Sequence, residues 1–129
     1  MISRKYPSTR LRRLRQSESI IDLTSECAVT ANDLIQPVFV KEGLSDKEPI
    51  ESMPGIFRFG EDSVLKEIEE ISQLGIRAIA IFPVIDPSKK DSKGTEATKR
   101  DNFISRVLGS IKSKFPDMLV IADVALDPY

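Results

Sequence analysis

The second half of the chain alternates apolar, strand-like runs with amphipathic helical segments, and this pattern constrains the fold most. Residues 78–84 and 118–126 are almost continuously apolar, which is typical of strands buried on both faces of a parallel sheet. Residues 61–74 and 101–114 carry apolar side chains at the 3.6-residue period of a helix. With a first strand predicted at 34–40, the order β-α-β-α-β specifies parallel strands with helices packed against the sheet.

A parallel sheet of this kind belongs to one of two architectures, an open doubly wound sheet or a closed (β/α)₈ barrel. The chain has 129 residues, whereas a barrel typically needs about 250. Three predicted strands are too few to complete either architecture. We therefore expect one domain of the α/β class, or part of one.

Several residues predict where individual elements begin and end. Gly75 stands where the first long helix would end in a left-handed residue, and Asp101 is expected to cap the second. Pro37 cannot donate a ladder hydrogen bond, so its strand should be an edge strand, bulged, or central only after its start. A short helix is predicted within residues 17–28, with Cys27 as a small core residue.

Two long hydrophilic segments separate these elements. Residues 41–57 form a predicted loop that is too long for a plain connection, so we expect it to be functional or to cover something. Residues 85–100 follow the end of a strand, which suits either a substrate lid or a mobile solvated loop. The sequence does not choose between these two interpretations.

The charge distribution is uneven. Residues 1–17 hold six basic side chains and no acidic one, although the whole chain has 19 basic and 20 acidic residues. Such an arm could bind phosphates, but it lacks interleaved aromatic residues and the body is acidic, so we expect no nucleic-acid partner and no membrane partner. We predict that residues 1–30 form a basic arm and short helix that pack on the chain's own body or on a neighbouring subunit, and that residues 31–129 form the body.

The chain has a single cysteine and no histidine, which excludes an internal disulfide and a Cys/His metal cluster within it. It also lacks an apolar run long enough to span a membrane and the apolar middle of a secretory signal. We expect a cytoplasmic protein, although the Arg- and Ser-rich start also has the composition of an organelle transit peptide.

Two carboxylates, Asp123 and Asp127, close the last predicted strand. On a straight strand they would lie about 13 Å apart on the same face, and Pro128 makes a bend that brings them together plausible. Asp123 is the more informative residue, because a carboxylate inside an apolar run must be paired, hydrogen-bonded, metal-bound or facing a cavity. A structural Asp that accepts backbone N–H groups at the strand end is the other interpretation.

One function class that fits this pattern is a receiver-like signalling module. The run 119–126 resembles the third strand of phosphoacceptor receiver domains, with Asp123 as the phosphorylated residue beside Mg²⁺. Receivers also need an acidic pair at the end of the first strand, and residues 36–41 supply none. The second class is a barrel enzyme, and a family resemblance favours it.

Motifs along nearly the whole chain resemble the N-terminal part of the delta-aminolevulinic acid dehydratases, or porphobilinogen synthases. The Ser-Met-Pro-Gly segment and the final heptad are quite specific when they occur together. The matching segments are Arg-x-Arg-Arg at 10–13, Asn-Asp-Leu-Ile-Gln-Pro-Val-Phe-Val at 32–40, Pro-Ile-Glu-Ser-Met-Pro-Gly at 49–55, Leu-Gly-Ile at 74–76, Ile-Phe-Pro at 81–83 and Asp-Val-Ala-Leu-Asp-Pro-Tyr at 123–129.

The resemblance implies the N-terminal part, about three βα units, of a (β/α)₈ TIM barrel with an extended N-terminal arm. In this family the arm wraps a neighbouring subunit, commonly in a homo-octamer. The reaction joins two 5-aminolevulinate molecules into porphobilinogen, on the way to haem and other tetrapyrroles. The family binds both substrates as Schiff bases on two lysines from the second half of the barrel, so the loop lysines Lys89, Lys90 and Lys93 are not expected to serve.

Carried onto matching positions, Asp123 is implied to contact a substrate amino group. Ala125 and Asp127 occupy positions where zinc-dependent members have cysteines. A methyl group and a carboxylate replace those thiolates, so the resemblance argues against active-site zinc. It leaves Asp127 as a possible metal ligand and Mg²⁺ as the expected metal, because carboxylate ligands suit Mg²⁺.

Overall fold

The computed structural model describes residues 5–9, 11–123 and 125. Its regular elements, in chain order, are α1 (Glu18–Thr24), β1 (Gln36–Lys41), β2 (Lys47–Pro49), β3 (Phe57–Phe59), α2 (Ser63–Gln73), β4 (Ala78–Val84), α3 (Phe103–Lys114) and β5 (Leu119–Ala122). Short 3₁₀ turns cover Arg13–Arg15, Ala31–Asp33, Pro87–Lys89 and Thr95–Thr98. Within the described residues no helix is long and apolar enough to cross a membrane.

The strands form one sheet in the order β2-β3-β1-β4-β5. β1, β4 and β5 are parallel and adjacent, with register from Gln36 opposite Ile79 and from Ala78 opposite Leu119. The predicted β-α-β-α-β order is confirmed. Because parallel strands point the same way, the carboxyl ends of these three strands meet at one edge of the sheet, which we call the carboxyl edge.

The core lies between one face of this sheet and the two long helices. Spacing at the helical period puts the apolar side of α2 and of α3 against the same strands, so both helices cover the same face. Burial of each large aliphatic side chain there stabilises the fold by about 1.5–3 kcal/mol. The fully buried members are Val40, Val64, Ile68, Ile79, Ile81, Val107 and Ile111.

The opposite face of the sheet is open, which corrects the expectation that residues 78–84 are buried on both faces. Burial alternates along β4: Ile79 and Ile81 are buried, whereas Phe82 is 36% exposed. On β5, Leu119 and Ile121 are 60% and 39% exposed. The reason is that α2 and α3 cover only one face, and no described element covers the other.

Pro37 lies near the start of a strand that is central only after its start, which is one of the three arrangements predicted for it. On one side β1 pairs with β4 along its full length. On the other side β3 pairs only with Phe39 and Val40. The missing N–H of Pro37 therefore lies where β1 has one neighbouring strand.

The predicted loop 41–57 contains β2 and the approach to β3, so the expectation of three strands was too low. β2 pairs antiparallel with β3, from Lys47 opposite Phe59 to Pro49 opposite Phe57. Each of these strands has three residues. A period-2 pattern cannot be recognised over so few positions, so neither strand could be predicted from its residues.

Two other predicted elements need correction. Asn102, not Asp101, caps α3, because its side chain accepts a hydrogen bond from Ser105 N at 2.9 Å. The helix predicted within 17–28 is the shorter α1, and Cys27 is exposed rather than in the core. By contrast Gly75 has the left-handed φ of 84° expected of a helix end. The last strand ends at Ala122, and most of its predicted continuation lies outside the described residues.

Candidate functional site at the carboxyl edge of the sheet

Asp123 lies at the carboxyl edge, directly after β5. Side chains alternate along a strand, so Asp123 follows Ile121 onto the open face of the sheet, and its side chain is exposed. Within the described part of the chain it makes no hydrogen bond or ion pair. Of the sequence alternatives, an Asp that faces a cavity agrees with this exposed position, and the backbone N–H groups of residues 124, 126, 127 and 129, which could donate to its carboxylate, lie outside the described residues.

The other two predicted site positions carry less structural information. Ala125 is half-buried, and Asp127 lies outside the described residues. Among residues 5–9, 11–123 and 125, no three Asp, Glu, Cys or His side chains come together as metal ligands.

A first charged cluster links the end of β1 to the β2–β3 hairpin. Lys41, the last residue of β1, donates from Nζ to both Glu48 carboxylate oxygens at 2.8 and 2.9 Å. Arg58 donates from Nη1 to Glu48 Oε1 at 3.2 Å, while its Nε is buried without a partner in the described chain. The hydrogen bond from Lys41, helped by Arg58, lowers the pKa of Glu48.

A second charged cluster surrounds Glu42, the residue after β1. Lys89, from the loop after β4, donates to Glu42 Oε2. Arg106, on α3, donates from Nη2 to Glu42 Oε1 at 3.0 Å and places its Nε 3.7 Å from Glu61 Oε2. The hydrogen bond from Lys89 is the main cause that lowers the pKa of Glu42, with Arg106 acting in the same direction against partial burial.

The loop between β4 and α3 has internal structure in its first half. Asp86 accepts a hydrogen bond from Ser88 N at 2.8 Å, which closes the turn Pro87–Lys89. Asp91 accepts from Lys93 N at 2.9 Å and from Thr95 N at 3.0 Å. Hydrogen bonding from the Thr95 side chain is the largest cause that lowers the pKa of Asp91, and the backbone N–H groups of Thr95 and Lys93 act in the same direction.

The second half of this loop is held by Glu96 and Asn102, both buried. The Asn102 amide donates to the carbonyl oxygens of Glu96 and Ala97 at 3.3 and 3.1 Å while its oxygen caps α3. The Glu96 carboxylate pairs with Lys99 and raises the pKa of that lysine. The loop is therefore folded along its length, and the sequence did not reveal the contacts that fold it.

Two depressions in the described part of the chain lie away from Asp123. One, of about 460 Å³, is lined by Arg77, Asp117 and Met118 together with the ends of α2 and α3. It lies at the amino ends of β4 and β5, opposite the carboxyl edge. Another, of about 540 Å³, is open and borders Glu48 and Arg58.

The strands β1, β4 and β5 are parallel and lie next to one another in chain order. This order agrees with a (β/α)₈ barrel, in which each strand is adjacent to the next along the chain. The short β3 pairs parallel with β1 on its other side, so the strand order alone does not separate a barrel from a receiver domain. The choice between the two function classes rests on the comparison with known proteins.

Comparison with known proteins shows the family to which this chain belongs. The family model for delta-aminolevulinic acid dehydratase matches residues 8–129. The chain belongs to this family, and its sheet and helices are part of the family's (β/α)₈ barrel.

Individual relatives agree. The chain is 43% identical over 122 residues to the delta-aminolevulinic acid dehydratase of Chlamydia pneumoniae, which covers 95% of the chain and 37% of the relative. It is 40% identical over 120 residues to that of Bradyrhizobium diazoefficiens, covering 93% of the chain and 34% of the relative. The chain thus spans about a third of the length of these curated relatives.

A solved structure gives the same result in three dimensions. It is the delta-aminolevulinic acid dehydratase (porphobilinogen synthase) of Toxoplasma gondii ME49 in complex with the reaction product porphobilinogen. The two chains superpose with a TM-score of 0.84 at 38% identity, over 94% of this chain and 34% of that one.

Proposed function

We propose that this chain forms one part of a porphobilinogen synthase, a lyase that condenses two 5-aminolevulinate molecules into porphobilinogen for haem and other tetrapyrroles. The observation that carries the proposal is the superposition, at 38% identity, on a dehydratase structure that holds porphobilinogen. The open face and carboxyl edge agree with it, because the carboxyl edge is where barrel enzymes place their active sites.

Asp123 is the residue of this chain that we propose contacts the substrate amino group. It stands at the carboxyl end of a parallel strand, exposed, on the open side of the sheet. An ionised carboxylate at that position attracts a protonated amine and orients it.

The chain's loop lysines are poor candidates for the Schiff bases of this reaction. A Schiff-base lysine needs a free amine to attack a carbonyl. Lys89 Nζ is instead held by the Glu42 carboxylate. We propose that the Schiff-base lysines belong to barrel segments outside these 129 residues, so the chain alone should not form porphobilinogen.

We propose Mg²⁺ rather than zinc as the metal of the assembled enzyme. Ala125 offers no ligand atom and Asp127 offers carboxylate oxygens, which suit Mg²⁺ better than zinc. We also propose a cytoplasmic homo-octamer assembled through the basic arm, with no nucleic-acid or membrane partner. In support, the described residues of the arm are almost all exposed and α1 has no buried residue.

A chimera tests the proposed activity. Residues 8–129 would replace the matching third of the Chlamydia pneumoniae relative, and porphobilinogen formation from 5-aminolevulinate would be assayed. We expect turnover by the chimera and none above a blank by the 129-residue chain. A folded chimera without turnover would overturn the proposal, and turnover by the chain alone would contradict the placement of the Schiff-base lysines.

A further inference from the structure

The loop 85–100 is attached to the sheet through Glu42. It leaves the carboxyl edge after β4 and returns to the body at α3. Lys89, in its first turn, reaches across to the Glu42 carboxylate, which is 47 positions earlier in the chain. The Glu42 side chain is 27% exposed, so the contact is partly shielded from water.

Arg106 fixes Glu42 from the other side. Its Nη1 donates to the Asp101 carbonyl oxygen at 2.9 Å, which holds the side chain against the start of α3. Its remaining contacts are Glu42 at 3.0 Å and Glu61 at 3.7 Å. The two basic side chains, Lys89 and Arg106, therefore alternate with the two acidic ones, Glu42 and Glu61. Each of these ion pairs joins two different segments of the chain.

We propose that Glu42 is a positioning residue that latches the first half of the loop 85–100 over the carboxyl edge. The latch consists of Glu42, Lys89 and Arg106. It joins the end of β1, the loop and α3, and so fixes the loop beside the edge that carries Asp123. The latch is a property of this chain's own loop and does not depend on the dehydratase activity.

The two halves of the loop have separate attachments. Residues 86–93 contact the sheet through Lys89, whereas the second half is held by Glu96 and by the Asn102 amide. Loss of the Glu42 carboxylate should therefore loosen the first half and leave the second in place. This selectivity separates a local latch from a general contribution to stability.

Limited trypsin digestion measures the two halves separately. Lys90 and Lys93 report on the first half and Lys99 on the second. Because a partly exposed ion pair stabilises a loop only modestly, Glu42→Gln should raise the rate of cleavage after Lys90 and Lys93 about fivefold. Cleavage after Lys99 should keep its rate.

Matched variants complete the test. Glu69→Gln is the control, because it removes an ion pair of 3.0 Å to Lys114 that joins α2 to α3 away from the loop. It should leave the rates of cleavage in the loop unchanged. Lys89→Arg should keep the slow cleavage and Lys89→Gln should reproduce Glu42→Gln. Raising the salt concentration should speed cleavage in the unmodified chain and have little effect on Glu42→Gln.

Two results would overturn the inference. Equal rates after Lys90 and Lys93 in the unmodified chain and Glu42→Gln would show that Glu42 does not hold the loop. An equal rise after Lys99 and after Lys66 on α2 would show a general loss of stability instead of a local latch.

Discussion

Gly60 shows how one residue joins the hairpin to the body. A Cβ built on it would lie 1.8 Å from the Leu44 carbonyl oxygen, which is part of the backbone and cannot swing away. Nearby, Ser63 Oγ donates to the Asp46 carbonyl oxygen at 2.6 Å and accepts from Gly60 N at 2.9 Å. The segment 44–46 therefore packs directly on the start of α2.

We predict that Gly60→Ala destabilises the chain by roughly 3 kcal/mol, because the added methyl group must displace backbone. Gly109→Ala is the matched control. It lies on α3 with nothing within 4 Å of its added Cβ, so the same change should stabilise by about 1 kcal/mol through helix propensity. Urea unfolding of both variants measures this, and equal effects would contradict the packing described for Gly60.

At the scale of elements, sequence patterns identified those that are long enough to show a period. Both long helices and the strands β1 and β4 are where the apolar spacing placed them, and β5 covers the first part of the strand predicted at 118–126. β2 and β3 were missed because each has three residues. The cap of α3 moved by one residue, since Asp101 and Asn102 are both good caps and only geometry decides between them.

The charged clusters could not be predicted for a different reason. Glu42 meets Lys89 and Arg106, which are 47 and 64 positions away. Such pairs depend on the full strand order, and nothing in the local sequence around Glu42 indicates its partners. Asp123 could be proposed from the sequence because its signal, a carboxylate inside an apolar run, is local.

The latch has a defined pH dependence. The pKa of Glu42 is below the ordinary glutamate value of 4.5, so its stabilisation is fully present above that value and is lost as the pH falls through the lowered pKa. We predict that Glu42→Gln costs about 1 kcal/mol at neutral pH, after allowance for solvent screening. The difference from the unmodified chain should shrink as the pH falls below 4.5 and vanish once the Glu42 carboxylate is protonated.

Urea unfolding of both proteins across this pH range is the measurement. A difference that does not shrink as the pH falls below 4.5, or that grows at low pH, would contradict the assignment of the stabilisation to the ionised Glu42 carboxylate.

For the whole molecule, the open sheet face is the main consequence of the fold. Phe39 and Phe82 stack there with ring centroids 5.6 Å apart, and Leu119 and Ile121 are partly exposed beside them. β5 also has a neighbouring strand on one side only within the described sheet. An apolar face next to such an edge favours association.

We predict that the 129-residue chain self-associates and that Ile121→Lys shifts it towards monomer. Leu23→Lys is the control, because Leu23 is 87% exposed on α1, away from the sheet. Sedimentation velocity measures the distribution. If the unmodified chain is monomeric and unfolds cooperatively, the prediction is contradicted.

We propose that the carboxyl edge of this sheet carries part of a dehydratase active site. The most direct test is porphobilinogen formation by the chimera with Asp123→Asn, compared with Asp117→Asn at the opposite end of β5. We predict a loss of about 100-fold or more for Asp123→Asn, because a positioned carboxylate at the reacting centre is removed, and little change for Asp117→Asn. Equal activity of the two variants would contradict the claim.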